Sequence, residues 1–170
     1  MDRILHVMNI MNKNIMLVND MGYVFDDGSF DEIIHTYGVA YMTAATFHAR
    51  KLNAELGFVI GLLHDIGRIA NDDYTKGHGL TGALMAERIL KDSGLFDEDE
   101  IQIAYRCISR HSKKKDVDED VYLEALKDAD ALERIFFLKE YGKSDSMKRK
   151  RIKDLLADFS LRLDEEKINE

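Results

Sequence analysis

Six side chains able to hold a divalent metal ion lie along the 170-residue chain in the order His35, His64, Asp65, His78, His111 and Asp130, at intervals of 29, 1, 13, 33 and 19 residues. Imidazole and carboxylate ligands together suit borderline or hard ions, with Fe, Mn, Co, Ni, Zn and Mg as the candidates. The single cysteine, Cys107, disfavours thiolate-selected metals, and its expected role is packing. Neighbours such as His64 and Asp65 point about 100° apart on a helix, so both reach one centre only near a helix end or a distorted turn. Gly67 offers such a break. Alone, a His-Asp pair carries little weight, because an imidazole hydrogen-bonded beside a surface carboxylate is its ordinary explanation. His6 and His48 are read as structural: His48 follows His35 by thirteen residues, which is about 220° on a continuous helix.

The elements that must position these ligands read as helices. Proline is absent and good helix formers are spread throughout, so an all-α, multi-helix bundle is expected. Ile4, Leu5, Met8, Met11, Ile15 and Val18 recur at helical steps, predicting an N-terminal amphipathic helix over about 2–20 whose Met-rich face serves the core or a dimer contact. Residues 22–28 read as a loop, followed by a helix capped at Ser29 or Asp31 and running to about Leu56. The apolar run 58–63, between Gly57 and Gly67, fits a buried strand or a buried helix equally. A polar loop at 71–79 precedes a helix over Leu80–Leu90, closed at Gly94, and a helix over Asp97–His111 with an acidic N-terminal end. An exposed charged loop follows at 113–120, then helices over Val121–Tyr141 and from Ser146 to about 167.

Composition bounds the function. A 19.5 kDa chain with 45% hydrophobic residues supports one domain over 1–170 with its own core. Thirty-two acidic against 24 basic residues give a net charge of −8, which argues against sequence-independent binding of a nucleic-acid polymer but leaves small anionic substrates open. Polar residues interrupt the first 18 positions too often for a signal segment or membrane span, and one cysteine fits a reducing, cytoplasmic setting.

The apolar run followed by His64-Asp65-Ile66-Gly67, with His35 ahead and Lys127-Asp128-Ala129-Asp130-Ala131-Leu132 behind, resembles the HD superfamily of metal-dependent phosphohydrolases over about residues 31–140. The resemblance implies a helical core in which His35, His64, Asp65 and Asp130 bind metal. Asp130 is preferred to Asp128 for its Ala-Asp-x-Leu setting. The two carboxylates stand about 200° apart on a helix, so one of them is expected to face solvent or cap. His78 and His111 resemble the extra ligands of the binuclear branch, where Asp65 would bridge two ions; one or two divalent ions are therefore expected.

The implied activity is hydrolysis of a nucleotide or other small phosphoester by a metal-activated water, with Asp65 orienting the nucleophile and Arg68 and Arg110 as substrate-binding candidates. Lys113, Lys114 and Lys115 border His111, but a lysine run is usually solvated, as is expected of Lys148-Arg149-Lys150-Arg151. No second histidine or Gly-Tyr-Pro segment follows His111, which argues against the cyclic-dinucleotide branch. Two rivals share the ligand set: the superfamily's di-iron oxygenases, and a signalling or structural module without catalysis. A homodimer is compatible with the apolar N-terminal face.

Overall fold

The computed structural model describes residues 2–20, 27–71, 77–117, 120–136 and 145–161. The described residues form helices and no strands, as the composition predicts: α1 (Arg3–Asp20), α2 (Asp27–Ala49), α3 (Ala54–Leu63), α4 (Ile66–Asn71), α5 (His78–Ser93), α6 (Glu98–Arg110), α7 (Val121–Phe136) and α8 (Ser146–Asp158). None of these helices is long and apolar enough to cross a membrane.

The helix expected to run on to Leu56 is instead a helical hairpin. Lys51 takes a left-handed φ of 59°, and the Asn53 side chain accepts from the Glu55 and Leu56 backbone N–H groups to start α3. Two glycines then let α3 lie directly on α2. A Cβ on Gly57 would sit 2.7 Å from the Phe47 ring, and one on Gly61 would sit 2.7 Å from the Ala40 Cα. This antiparallel register, 57 beside 47 and 61 beside 40, carries the end of α3 toward His35 on α2. Residues 56–63 are all buried, which explains why the apolar run showed no helical period: a helix covered on every side needs no polar face.

α2 packs chiefly against α3 and α7, α5 against α4 and α6, and α8 against α7. Val7, Met11, Phe47, Leu62, Leu90 and Ile108 belong to the main core, and Leu132, Ile135, Ile152 and Leu155 to a smaller one under α8. Each such side chain stabilises by about 1.5–3 kcal/mol when fully removed from water. The N-terminal helix thus gives Val7 and Met11 to the core; the side chains of Ile15 and Val18 lie outside the described residues. Cys107 is buried, and burial pushes its thiol well above the ordinary value, as suits a packing role. Chain reversals follow the sequence signals: Gly94 closes α5 with φ 64°, and Asp97 and Glu100 form a capping box on α6. The loop expected at 71–79 is shorter, since α4 reaches Asn71 and α5 starts at His78, with 72–76 outside the described residues. The helix expected to reach Tyr141 is described to Phe136, with 137–144 outside the described residues, whereas the last helix ends at Asp158 rather than near 167, because Phe159 caps it and Ser160 takes a left-handed φ of 58°.

Two charged residues depart from expectation. Asp128 neither faces solvent nor caps; it is 6% exposed and pairs with Arg50 at 2.8 Å and Arg151 at 2.8 Å. Arg151, expected on a solvated face, is itself 6% exposed. The pairing is possible because Asp128 points toward Arg50, just past the end of α2, and Arg151 of α8, while Asp130 points toward His35 and Lys114.

Candidate metal centre

Each candidate ligand is positioned by a helix end or a buried helix face. His35 projects from the middle of α2. His64 is the C-cap of α3, and Asp65 occupies the two-residue turn before α4, so the adjacent pair escapes the 100° separation it would have within a helix. His78 opens α5, His111 is the C-cap of α6, and Asp130 lies in α7.

Three of the imidazoles are oriented in the same manner. The Nδ1 atoms of His64 and His111 meet the carbonyls three residues earlier, Gly61 O at 2.7 Å and Ile108 O at 2.8 Å, and His35 Nδ1 contacts Glu133 Oε2 closely. A carbonyl only accepts, so Nδ1 carries the proton in His64 and His111 and donates, leaving the Nε2 lone pair for the centre. Fixing the outer nitrogen in this way is how proteins aim imidazole at a metal. The rings follow one another, with centroids 5.2 Å apart for His35–His64, 5.2 Å for His64–His111 and 5.3 Å for His78–His111.

Asp65 stands in the middle. Its Oδ2 is 3.4 Å from His64 Nε2 and 3.9 Å from His35 Nε2, while its Oδ1 is 3.1 Å from His111 Nε2 and 3.4 Å from His78 Nε2. One carboxylate oxygen therefore faces each pair of imidazoles. His35 Nε2 also lies 3.7 Å from Asp130 Oδ1. Two overlapping groups have ligand atoms close enough to share an ion: His35, His64 and Asp130, and His64, Asp65 and His111. His64 Nε2 and Asp65 Oδ1 are buried without a hydrogen-bond partner. Leaving such atoms unsatisfied costs about 1–3 kcal/mol each, so a divalent ion fits what the donor set lacks.

The surrounding charges favour ionised carboxylates. Burial pushes the Asp65 carboxyl up, but the His64 and His111 imidazoles overcome it and hold the group well below the usual carboxylate range. Asp130 is likewise held low against its burial, by Lys114, His35, His64 and Arg134. Burial lowers the His111 pKa, favouring the neutral, ligating ring, whereas Asp65 raises that of His64 against burial, so a proton competes there with a metal.

The cluster forms the floor of a cleft of about 560 Å³ that is lined by Asp65, His78, His111 and Asp130 and walled by Arg68, Lys113, Lys114, Lys115, Arg134 and Lys148, with Asp116 and Asp145 among them. Arg68 reaches Asp65 Oδ2 at 3.0 Å, and Lys114 reaches Asp130 Oδ2 at 2.5 Å. Arg110 is exposed and is not among the residues lining the cleft. His6 and His48 lie outside the cluster, His48 exposed and His6 half-buried. Sequence reasoning passed over Glu133 and Arg134. The signal was present: they follow Asp130 by three and four residues and so share its helix face, where Arg134 lies 3.4 Å from Asp130 Oδ1.

This helical frame, its His-Asp turn and the converging histidines agree with a family match: residues 33–135 fit the HD domain. The chain belongs to the HD domain family, a superfamily of metal-dependent phosphohydrolases. A more particular relative is Ribonuclease Y of Mycoplasma genitalium, 31% identical over 116 residues that make up 66% of this chain and 22% of that protein. The chain thus spans about a fifth of the length of that relative. No solved structure matches significantly.

Proposed function

We propose that this chain is a phosphohydrolase whose two-metal centre is held by His35, His64, Asp65, His78, His111 and Asp130, and that its substrate is a small phosphorylated compound of about nucleotide size. The observation that carries this reading is the position of Asp65, whose two oxygens each face a separate pair of imidazoles. Such ions, when bound, lower the pKa of water and neutralise charge on a phosphoryl oxygen. The chain's own residues do the rest. Asp65 is held ionised between the two halves of the site, Glu133 and the Gly61 and Ile108 carbonyls fix the rings, and Arg68 and Arg134 offer fork-shaped donors to phosphate. The cleft volume falls in the range that encloses ligands of nucleotide size.

A second substrate reading rests on the name Ribonuclease Y together with the cationic cleft wall. The net charge of −8 sets the chain against long polymers, and a short RNA end is the form that suits both observations. The test is hydrolysis of mononucleotides, dinucleoside polyphosphates and short RNA, read as release of inorganic phosphate or of nucleotide products, under nitrogen, with Mn, Fe, Co, Ni, Zn or Mg restored to metal-stripped protein. Metal-dependent release from a mononucleotide or dinucleoside polyphosphate supports the first reading. Release from RNA alone moves the substrate to the second, and no release from any of them with bound metal removes the hydrolase reading.

A further inference from the structure

We propose that Arg151, on a helix outside the family match, is a positioning residue that fixes segment 112–116 so that the Lys114 ammonium, beside Asp130, takes a phosphoryl oxygen of the substrate. This rests on the phosphohydrolase reading and adds to it the residues that hold one cleft wall.

Segment 112–116 leaves α6 without continuing as a helix, so its carbonyls need other partners. The Ser112 and Lys113 carbonyls accept from the Lys114 and Asp116 N–H groups, and those of Lys114 and Asp116 are met by Arg151. Its Nε donates to Lys114 O at 2.8 Å and its Nη2 to Asp116 O at 2.9 Å, while its Nη1 donates to Glu124 Oε2 at 2.6 Å and Asp128 Oδ1 at 2.8 Å. Lys127, fully buried, adds a bond from Nζ to the same Asp116 carbonyl at 3.0 Å. One guanidinium therefore joins α8, two acidic residues of α7 and both ends of a three-residue stretch of the wall. Lysine has the charge but not the fork, and cannot meet two carbonyls and two carboxylates at once.

The stretch so held carries Lys114, whose Nζ reaches Asp130 Oδ2 at 2.5 Å with its side chain only 13% exposed. Its neighbours Lys113 and Lys115 are exposed. Of the three lysines, Lys114 is thus the one directed at the cleft floor. A compact ammonium beside the metal ligands is placed to meet charge on a phosphoryl oxygen.

The test uses the full chain loaded with Mn, inorganic phosphate as the probe, and the variants Lys114→Met, Arg151→Lys and their combination. Lys114→Met is expected to weaken phosphate binding about tenfold, the worth of one charge-assisted hydrogen bond, with metal content unchanged. Arg151→Lys is expected to weaken it comparably and to speed amide exchange at 112–116, yet to add less than twofold in the Lys114→Met background. Losses that multiply in the double variant, unchanged phosphate binding in either single variant, or a changed metal content overturn the inference. If Arg151→Lys does not fold, amide exchange of the wild type decides: added phosphate slows exchange at 112–116 in the wild type but not in Lys114→Met, and absence of that contrast overturns the proposal. A wild type that takes up no metal fails at the earlier reading and takes this one with it, whereas metal-dependent phosphate binding indifferent to both residues overturns this one alone.

Discussion

Replacing Gly67 with alanine should disturb the His78 side of the proposed metal centre without replacing any candidate ligand. A Cβ at this position would lie 2.4 Å from His78 O, 2.7 Å from Gly82 N and 3.0 Å from Gly82 Cα. All three are backbone atoms of α5, so no side chain can swing aside. Against an ordinary contact of about 3.4 Å, α5 must retreat by about 1 Å, and the atom that retreats most is the carbonyl of His78. Overpacking of this kind costs about 2–3 kcal/mol, and the helix propensity gained by alanine returns about 1 kcal/mol. The remaining 1–2 kcal/mol corresponds to a fall in Tm of about 2–8 °C for a chain of this size. Because His78 Nε2 is only 3.4 Å from Asp65 Oδ1, the same retreat should, on the proposed two-metal reading, weaken metal binding on the His78 and His111 side by about tenfold or more while binding at His35, His64 and Asp130 stays. Thermal melts with and without metal, and a metal titration by calorimetry, read both effects. Gly94→Ala is the control: its φ of 64° makes it costly by about 1 kcal/mol, but nothing lies within 4 Å and the metal titration should not change. A Gly67→Ala protein that melts like the wild type and binds both ions equally would refute the reasoning.

Other consequences can be checked in the same assays. Asp128→Ala strips Arg50 and Arg151 of a shared buried partner and should cost about 2–4 kcal/mol in a denaturant titration, with metal content unchanged. Asp130→Asn should show the reverse, a small change in stability and a clear loss of metal. Glu133→Gln keeps the shape of the group behind His35 but removes its charge, and should weaken metal binding about tenfold by calorimetry. Asp65, Asp130 and Glu124 are held below their ordinary values despite burial, Glu124 by its bonds with Lys127 and Arg151. The unfolded chain therefore binds more protons in acid, so the stability these groups contribute is present above about pH 4 and lost progressively below it. Denaturant midpoints of metal-stripped protein from pH 7 down to pH 3 should fall most steeply at the acid end.

Much of this was legible in the residues, and what was not has particular causes. Amphipathic periods placed α1, α5 and α6 because each keeps one face toward water, whereas α7 was placed by apolar spacing alone, its residues 125–133 all being buried. The break between α2 and α3 was missed because its signal is a single left-handed residue, Lys51, followed by the Asn53 cap, inside a stretch of good helix formers. The identity of 58–63 stayed open because every residue of that turn-bounded run is buried. At the site, order along the chain pointed to the residues that converge around Asp65, and angular reasoning separated Asp128 from Asp130. Sequence alone did not show that both sides of α7 are covered, so Asp128 and Arg151 pair in the interior rather than in water. Glu133 and Arg134 act through the residues they touch, His35 and Asp130, and their only local mark is a spacing of three and four residues from Asp130, which any solvent-facing pair could share.

The central claim, that Asp65 lies between two metal ions, is tested most directly by metal analysis of the wild-type chain and Asp65→Asn, each saturated with Mn and freed of excess ion. The geometry predicts two ions per chain in the wild type and at most one in Asp65→Asn, since an amide keeps the shape but cannot serve as an anionic bridge. A wild type holding no stoichiometric metal, or an Asp65→Asn protein holding the same two ions, would contradict it.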